Sequence, residues 1–399
     1  MSNPRAVHLG AGNVGRGFIG ALLSESGYHV VFSDVNEELI KEFNQRSAYD
    51  LHVLDENART KRISISDISG VLSTSDDIIR EIAHPDTRLV TTAVGPSILE
   101  KIAPTLARGL TARHEAGAGP LNIIACENMV HQTTKLSEHV RAHLPPDGPA
   151  RTWVAQHVGF ADCSVDRIVP PAGQSRENPL DVGVEGFFEW AVDRHGLAAA
   201  IAPPVKGMEL TDDLPAYIER KLFTLNCGHA IIAYLGFLRG YGTIDRAIHD
   251  TEIRDVVRRA LLEEGGAALI QKYGWDPAEY EKYVSKVMHR FANPQLRDDV
   301  KRVGRQPLRK LGQGDRLLGP LKMAKESGLP YDNLAKGVAA AFHFDVDDDE
   351  QSREMQEKVK GAGIERAIAE VCEFEDGCEE QRKVVDAYNL LRKFKVDVE

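Results

Sequence analysis

The chain has 399 residues, of which 42% are hydrophobic and 27% charged, and a formal net charge of −11. This is ordinary globular composition with material for two domains and a large core. It carries no long basic run, which argues against nucleic acid as a partner, since phosphate backbones need concentrated positive surface; local positive charge could still serve a small anion.

Cys126, Cys163, Cys227, Cys372 and Cys378 are odd in number and irregularly spaced, so reduced thiols and a cytoplasmic setting are expected. Cys372 and Cys378 lack zinc-site spacing and a following Cys/His pair, so no metal is expected. The chain opens on polar residues and then a strand, not on a charged-then-apolar leader, and no apolar run near the membrane-spanning length stands out. No membrane partner is expected.

Arg5–Gly10 reads as a short buried strand. The turn Gly10-x-Gly12-x-x-Gly15 follows at once, then apolar residues at helical spacing from Phe18 to Leu23, then a second strand over Gly27–Asp34. This is the strand–turn–helix–strand context of a dinucleotide-binding fingerprint. Gly10 permits the tight turn, Gly12 lets backbone approach a pyrophosphate, and Gly15 lets the helix pack close to the strand. The helix N-terminus then faces the anion. Asn13 and Val14 belong to the same cofactor-binding turn. Arg16 either approaches the pyrophosphate or caps a surface. Asp34, about 19 residues after Gly15, can accept hydrogen bonds from both ribose hydroxyls and would repel a 2′-phosphate, so NAD is expected over NADP. His8, inside the first strand, reads as a satisfied core histidine.

Strands follow at Arg88–Val94 and Leu121–Cys126. Ligands of open α/β sheets sit at strand C-termini, which puts Val94, Gly95, Glu127 and Asn128 beside the cofactor. Trp153–Gly159 is expected to begin another strand, and Asp166–Pro170 a further one. Pro170, Pro171, Gly173 and Pro179 mark a surface turn. The fold class expected is α/β: a doubly wound, Rossmann-type NAD-binding domain over residues 1–200, and a mostly α-helical substrate domain over 201–399. In the second, Asp213 serves as an N-cap, and helices are expected over 252–265, 267–273, 277–291, 334–342, 352–360 and 364–372. Asp345–Glu350 reads as a solvated acidic loop and Phe394–Glu399 as a frayed tail.

Lys221, His229 and Asn226 fall at about 0°, 80° and 140° on an α-helical wheel, one broad face. A polar trio in an apolar helix is either a surface face with a snorkelling lysine or a working site. As a site, neutral Lys221 takes the hydroxyl proton of a secondary alcohol while hydride leaves the carbon, and Asn226 and His229 donate hydrogen bonds to the oxygen. The lysine pKa must then fall from about 10.4 towards 7–8, roughly 4 kcal/mol of destabilised ammonium. A lysine in this role makes a metal unnecessary. The basic stretch Lys301–Lys310, with Arg305, Arg309 and Lys310, is either an anion site or a solvated basic face; Pro307 is expected to interrupt any helix there.

These residues together resemble the polyol-specific long-chain dehydrogenases. The likeness rests on Gly-Ala-Gly-Asn-Val-Gly-Arg-Gly at 10–17, Ala-Cys-Glu-Asn-Met-Val at 125–130, Val-Asp-Arg-Ile-Val-Pro-Pro at 165–171, Gly-Met-Glu-Leu-Thr-Asp at 207–212, Glu-Arg-Lys-Leu-Phe-Thr-Leu-Asn at 219–226 and Val-Gly-Arg-Gln-Pro-Leu-Arg-Lys-Leu at 303–311. It implies metal-free interconversion of D-mannitol 1-phosphate and D-fructose 6-phosphate with NAD, with Lys221 as acid/base and Asn226 and His229 on the substrate oxygen. Asn128 and Asp166 match further polar positions near such a site, although Asp166 could simply pair with Arg167. Free mannitol or a sugar acid is the alternative substrate. A purely NAD-sensing regulator would lack the trio, which is present. A monomer is expected.

Overall fold

The computed structural model describes residues 3–54, 61–170 and 177–394. Pro171 and Gly173 of the expected turn, and residues 395–399 of the tail, lie outside the described residues. The chain forms two compact units, Met1–Tyr217 and Ile218–Glu399.

In the first unit the strands are β1 (Arg5–Leu9), β2 (His29–Asp34), β3 (Ala48–Leu54), β4 (Lys61–Ser66), β5 (Ile68–Leu72), β6 (Thr87–Thr92), β7 (Leu121–Ala125), β8 (Val158–Phe160), β9 (Cys163–Asp166), β10 (Val182–Glu185), β11 (Glu189–Asp193) and β12 (Met208–Thr211). The main sheet has the order β5-β2-β1-β6-β7-β8, with every neighbouring pair parallel. Renumbered within the sheet this is the dinucleotide-binding order 3-2-1-4-5-6, with its switch point between β1 and β6. Parallel strands are covered on both faces and so read as apolar runs. Alternate residues feed two cores: Ala6, Val30 and Phe32 enter one with Phe18, Leu22 and Phe43, while Val7, Leu9 and Val31 enter the other with Ile82, Leu106 and Ile123. Two three-stranded sheets, β10-β3-β4 and β12-β11-β9, complete the unit.

Two expectations change here. Trp153 lies in a helix, Pro149–His157, and only Val158–Phe160 is strand. Pro149 supplies a pre-set first helical residue, and Ala150 and Val154 bury one helical face. The strand expected over 166–170 ends at Asp166. Beyond it the chain is held by side chains: Arg167 donates to the carbonyls of Gly17 and Glu185, and the Glu185 carboxylate accepts from the Ile168 amide. The compact units divide after Tyr217, with β12 pairing in parallel with β11 in the first.

The second unit is helical. After α1 (Gly20–Glu25), α2 (Glu37–Arg46), α3 (Asp77–Ala83), α4 (Leu99–Glu115), α5 (Gln132–Ala142) and α6 (Pro149–His157) come α7 (Leu214–Arg220), which begins in the first unit, α8 (Cys227–Leu238), α9 (Ile244–Ala247) and α10 (Thr251–Arg259). They are followed by α11 (Gly265–Tyr273), α12 (Pro277–Phe291), α13 (Val300–Gly304), α14 (Pro307–Lys310), α15 (Leu318–Glu326), α16 (Asp332–Ala341), α17 (Glu350–Ala362), α18 (Ile364–Cys372) and α19 (Glu379–Leu391). Asp213 caps α7 through the Ala216 amide at 3.3 Å. The acidic segment before α17 is a loop with Asp345, Asp347 and Asp348 exposed, and its last residue, Asp349, caps α17 through the Ser352 amide and also accepts from the Gln306 amide at 2.6 Å. The continuous rod Leu214–Leu238 is long and apolar enough to cross a membrane by composition, a run the sequence reading passed over; 78% of its most apolar window is buried within the fold, as in the core helix of a water-facing protein.

The first glycine of the turn is held by both its backbone angle and a close backbone neighbour. Gly10 has φ +100°, and a Cβ there would lie 2.4 Å from the Ala93 carbonyl oxygen. Gly10→Ala is expected to cost about 1–3 kcal/mol, since the neighbour is backbone and cannot swing away; urea unfolding of the variant measures it.

Candidate active site

At the end of β1 the chain enters a π-helical turn, Gly15–Ile19, before α1. A Cβ on Gly15 would sit 1.9 Å from the Gly10 carbonyl oxygen, so the return of the helix onto the turn requires glycine. Gly12 is exposed and a Cβ there meets nothing within 4 Å, leaving its backbone open to a ligand. Asn13 is half-buried and Val14 exposed. Arg16 is buried. Its guanidinium donates to the Leu180 carbonyl at 2.9 Å, to the Ala11 carbonyl, and to Oδ1 of Asn13 at 3.1 Å. Of the two roles left open for Arg16, these donors go to the protein and brace the turn. His8 beneath it is neutral: burial lowers its pKa to about 3, and Nδ1 lies 2.7 Å from Thr91 Oγ1 while Nε2 has no partner.

Asp34 ends β2, where Oδ2 accepts from the Ala11 amide at 2.8 Å and Oδ1 from the Asn36 amide at 3.0 Å. Each carboxylate oxygen keeps acceptor capacity for a ribose hydroxyl. Glu127 follows β7 and is buried. Its Oε1 accepts from Thr92 Oγ1 at 2.7 Å and from the Val94 amide at 2.9 Å, and its Oε2 from the Gly95 amide at 2.9 Å. The amides of Val94 and Gly95 are therefore spent on Glu127, and that carboxylate supports the crevice wall rather than facing it. Asn128 is exposed beside it. Asp166 is buried and ends β9 in a three-stranded sheet, not in the parallel sheet whose strand ends carry the other cofactor candidates.

A nucleotide fits this end of the unit on one further observation. Among the described residues, the exposed large hydrophobics are Val14, Val35, Met129, Val130 and Leu390. All but Leu390 follow the C-terminal ends of β1, β2 and β7, where apolar surface left bare marks a ligand face.

In the second unit, Lys221–Asn226 is a π-helical turn between α7 and α8, closed by the Cys227 amide on the Leu222 carbonyl. The sequence reading assumed an α-helix. An i→i+5 ladder winds less per residue, so the step from Lys221 to Asn226 overshoots a full turn by less than the α-helical value of about 140°. The turn draws the amine and the amide towards one face, and the α-helix resumes before His229. Local packing pins it. Thr224 Oγ1 lies 2.6 Å from the Tyr280 hydroxyl in the core, and the Phe223 ring lies where a Cβ on Gly319 would be, 2.5 Å from its Cε1. Lys221, Asn226 and His229 are each half-buried. The His229 ring stacks on Phe291 at 5.2 Å, and its Nε2 lies 2.9 Å from Oδ2 of Asp298. Asp298 was not anticipated.

The basic stretch is split. Arg305 follows α13, Gln306 has φ 57°, and Pro307 opens α14. Arg305 and Arg309 are exposed, whereas Lys310 is buried with its amine on the Arg305 carbonyl. Burial, then Arg316, Arg309 and Arg305, push the Lys310 pKa down to about 7. Asp315 is the counter-ion, 2.7 Å from Arg316 and 3.6 Å from Arg309.

Residues 4–203 match the family described as Mannitol dehydrogenase Rossmann domain, and residues 213–392 its partner, Mannitol dehydrogenase C-terminal domain. The chain belongs to the mannitol dehydrogenase family. Solved structures with this fold include the mannitol 2-dehydrogenase of Pseudomonas fluorescens in ternary complex with NAD and D-mannitol, at 19% identity over 98% of this chain and 92% of that one, TM-score 0.76. A D-sorbitol dehydrogenase in substrate-free form matches at 18% identity over 98% and 93%, TM-score 0.82. The mannitol dehydrogenase family is thus the frame for both units.

Two expectations follow. Glu127→Gln keeps only one acceptor oxygen for three donors and should lower stability by about 1–3 kcal/mol, read by urea unfolding. Lys310 holds its proton less tightly folded than unfolded. Between about pH 7 and the unfolded lysine range, the unfolded chain binds the extra proton, so this group makes stability rise with pH, and its full penalty applies below about pH 7. Lys310→Met should remove that rise, visible as the difference between wild-type and variant melting temperatures from pH 6 to 10.

Proposed function

We propose that the chain is an NAD-dependent, metal-independent oxidoreductase that interconverts D-mannitol 1-phosphate and D-fructose 6-phosphate, a mannitol-1-phosphate 5-dehydrogenase. The observation that carries the oxidoreductase reading is the π-helical turn that draws Lys221 and Asn226 together beside His229 in a family of polyol dehydrogenases. NAD, when bound, supplies the hydride acceptor. Gly10–Gly15 and Asp34 hold its pyrophosphate and ribose, and Asp34 disfavours a 2′-phosphate. The Lys221 amine takes the hydroxyl proton at Nζ, Asn226 donates to the oxygen as charge develops there, and His229 orients it. Arg305 and Arg309, backed by Lys310, are the phosphate-binding candidates, since guanidinium forks suit phosphate oxygens.

A second reading takes free mannitol. It draws support from Asp315, which already offsets Arg309 and Arg316, and from Lys310, which sits on the Arg305 carbonyl. Initial rates of NADH oxidation separate the two. The phosphate reading expects fructose 6-phosphate to be reduced with far higher kcat/KM than fructose, and equal rates would end it. Lys221→Ala is expected to keep NADH binding, measured by fluorescence titration, while turnover falls on the order of 10²- to 10⁴-fold; an unchanged rate would remove the assigned base.

A further inference from the structure

His229 is not alone at the end of the π-helical turn. Asp298, in the loop between α12 and α13, brings a buried carboxylate to 2.9 Å from His229 Nε2. Its other oxygen, Oδ1, pairs with Arg302. The buried Oδ2 has no aligned donor, so it meets His229 as an ion-pair contact that a small rotation of the ring would turn into a hydrogen bond. Burial works to raise the Asp298 pKa, but the nearby His229, and then Arg302, outweigh it and hold the carboxyl below its usual range. The remaining surroundings described at this point of α8 are apolar. Phe291 stacks on the imidazole, and Phe291, Leu261 and Val257 close on Gly228. The charged groups described against His229 itself are Asp298 and, through it, Arg302, while Glu264 and Arg316 act electrostatically on Cys227, two residues earlier in the helix.

We propose that Asp298 is a positioning residue for His229: it fixes the orientation and tautomer of the imidazole, an inference that rests on the reading of the Lys221–Asn226–His229 site given above. With Nε2 turned to the carboxylate, the single proton of neutral imidazole belongs on Nε2, and Nδ1 is left as an acceptor for a substrate hydroxyl. Outer partners of this kind act through the histidine they hold, and their loss commonly lowers activity 10- to 100-fold.

The test is a double-mutant cycle on the full chain, with NADH oxidation by the ketose that the wild type reduces fastest. Asp298→Asn is expected to lower kcat on the order of 10- to 100-fold, with KM and NADH affinity little changed. Asp298→Glu, which keeps the carboxylate, should recover most of that loss. Because Asp298 acts through His229, adding Asp298→Asn to His229→Gln should cost no more than about twofold. Full kcat in Asp298→Asn, or losses that multiply in the double variant, would overturn the inference. Should Asp298→Asn melt below the assay temperature, the same cycle with Asp298→Glu decides, since a loss that persists in full without His229 overturns it equally. If Lys221→Ala and His229→Gln themselves ran at wild-type rates, the reading of the site would fall; their loss alongside a fully active Asp298→Asn would sink this inference alone.

Discussion

The helix Leu214–Leu238 cannot keep an α-helical register through Lys221–Asn226, and the arrangement of the polar trio depends on that interruption. A wider turn carries poorer hydrogen-bond geometry than the α-helix on either side of it. Tertiary contacts hold it in place: Thr224 on Tyr280, Phe223 against Gly319, and Gly228 under Leu261 and Phe291. The rod therefore does two things. Its apolar residues, among them Ile231, Ile232 and Tyr234, anchor the core of the second unit. Its one irregular turn presents an amine and an amide where a regular helix would set them well apart.

The first unit is organised the same way, with polar side chains spent on shaping backbone. Arg16 ties the glycine turn to Leu180 and Asn13, Asp34 holds the Ala11 amide, and Glu127 gathers the amides at the end of β6. These bonds fix where the strand ends stop and leave the exposed backbone of Gly12 as the open part of the turn. Preorganisation of this kind reduces what a nucleotide must supply on binding.

What was legible in the sequence was local. Glycine demands arise from φ and close approach within a few residues, so Gly10, Gly12 and Gly15 could be assigned individually. Helices with their own punctuation, such as α12 with Pro277 at its start and α18 after Gly363, have the expected ends. The doubly wound class was legible from apolar runs alternating with helical spacing, but the strand order, with β5 at its edge, was not. The misreadings were of two kinds. At Trp153 and beyond Asp166, short segments carried strand-like composition, but an N-terminal proline in one case and side-chain bonds in the other settled the backbone. At the π-helical turn a constant α-helical angle was assumed, and at Glu127, Arg16 and Lys310 residue type could not show the backbone groups that their polar atoms also hold. Asp298 had no local signal, because its partner lies on a helix far earlier in the chain. The π-helical turn was invisible to any reading that assumes a constant angle per residue.

The bare rim formed by Val14, Val35, Met129 and Val130 has a bearing on handling as well as on recognition. Without nucleotide, each molecule shows its neighbours a greasy lip rather than a filled groove. A nucleotide, when bound, favours the folded chain by mass action. Shelf life and clumping in the tube are thereby linked to how well the protein is fed with its dinucleotide.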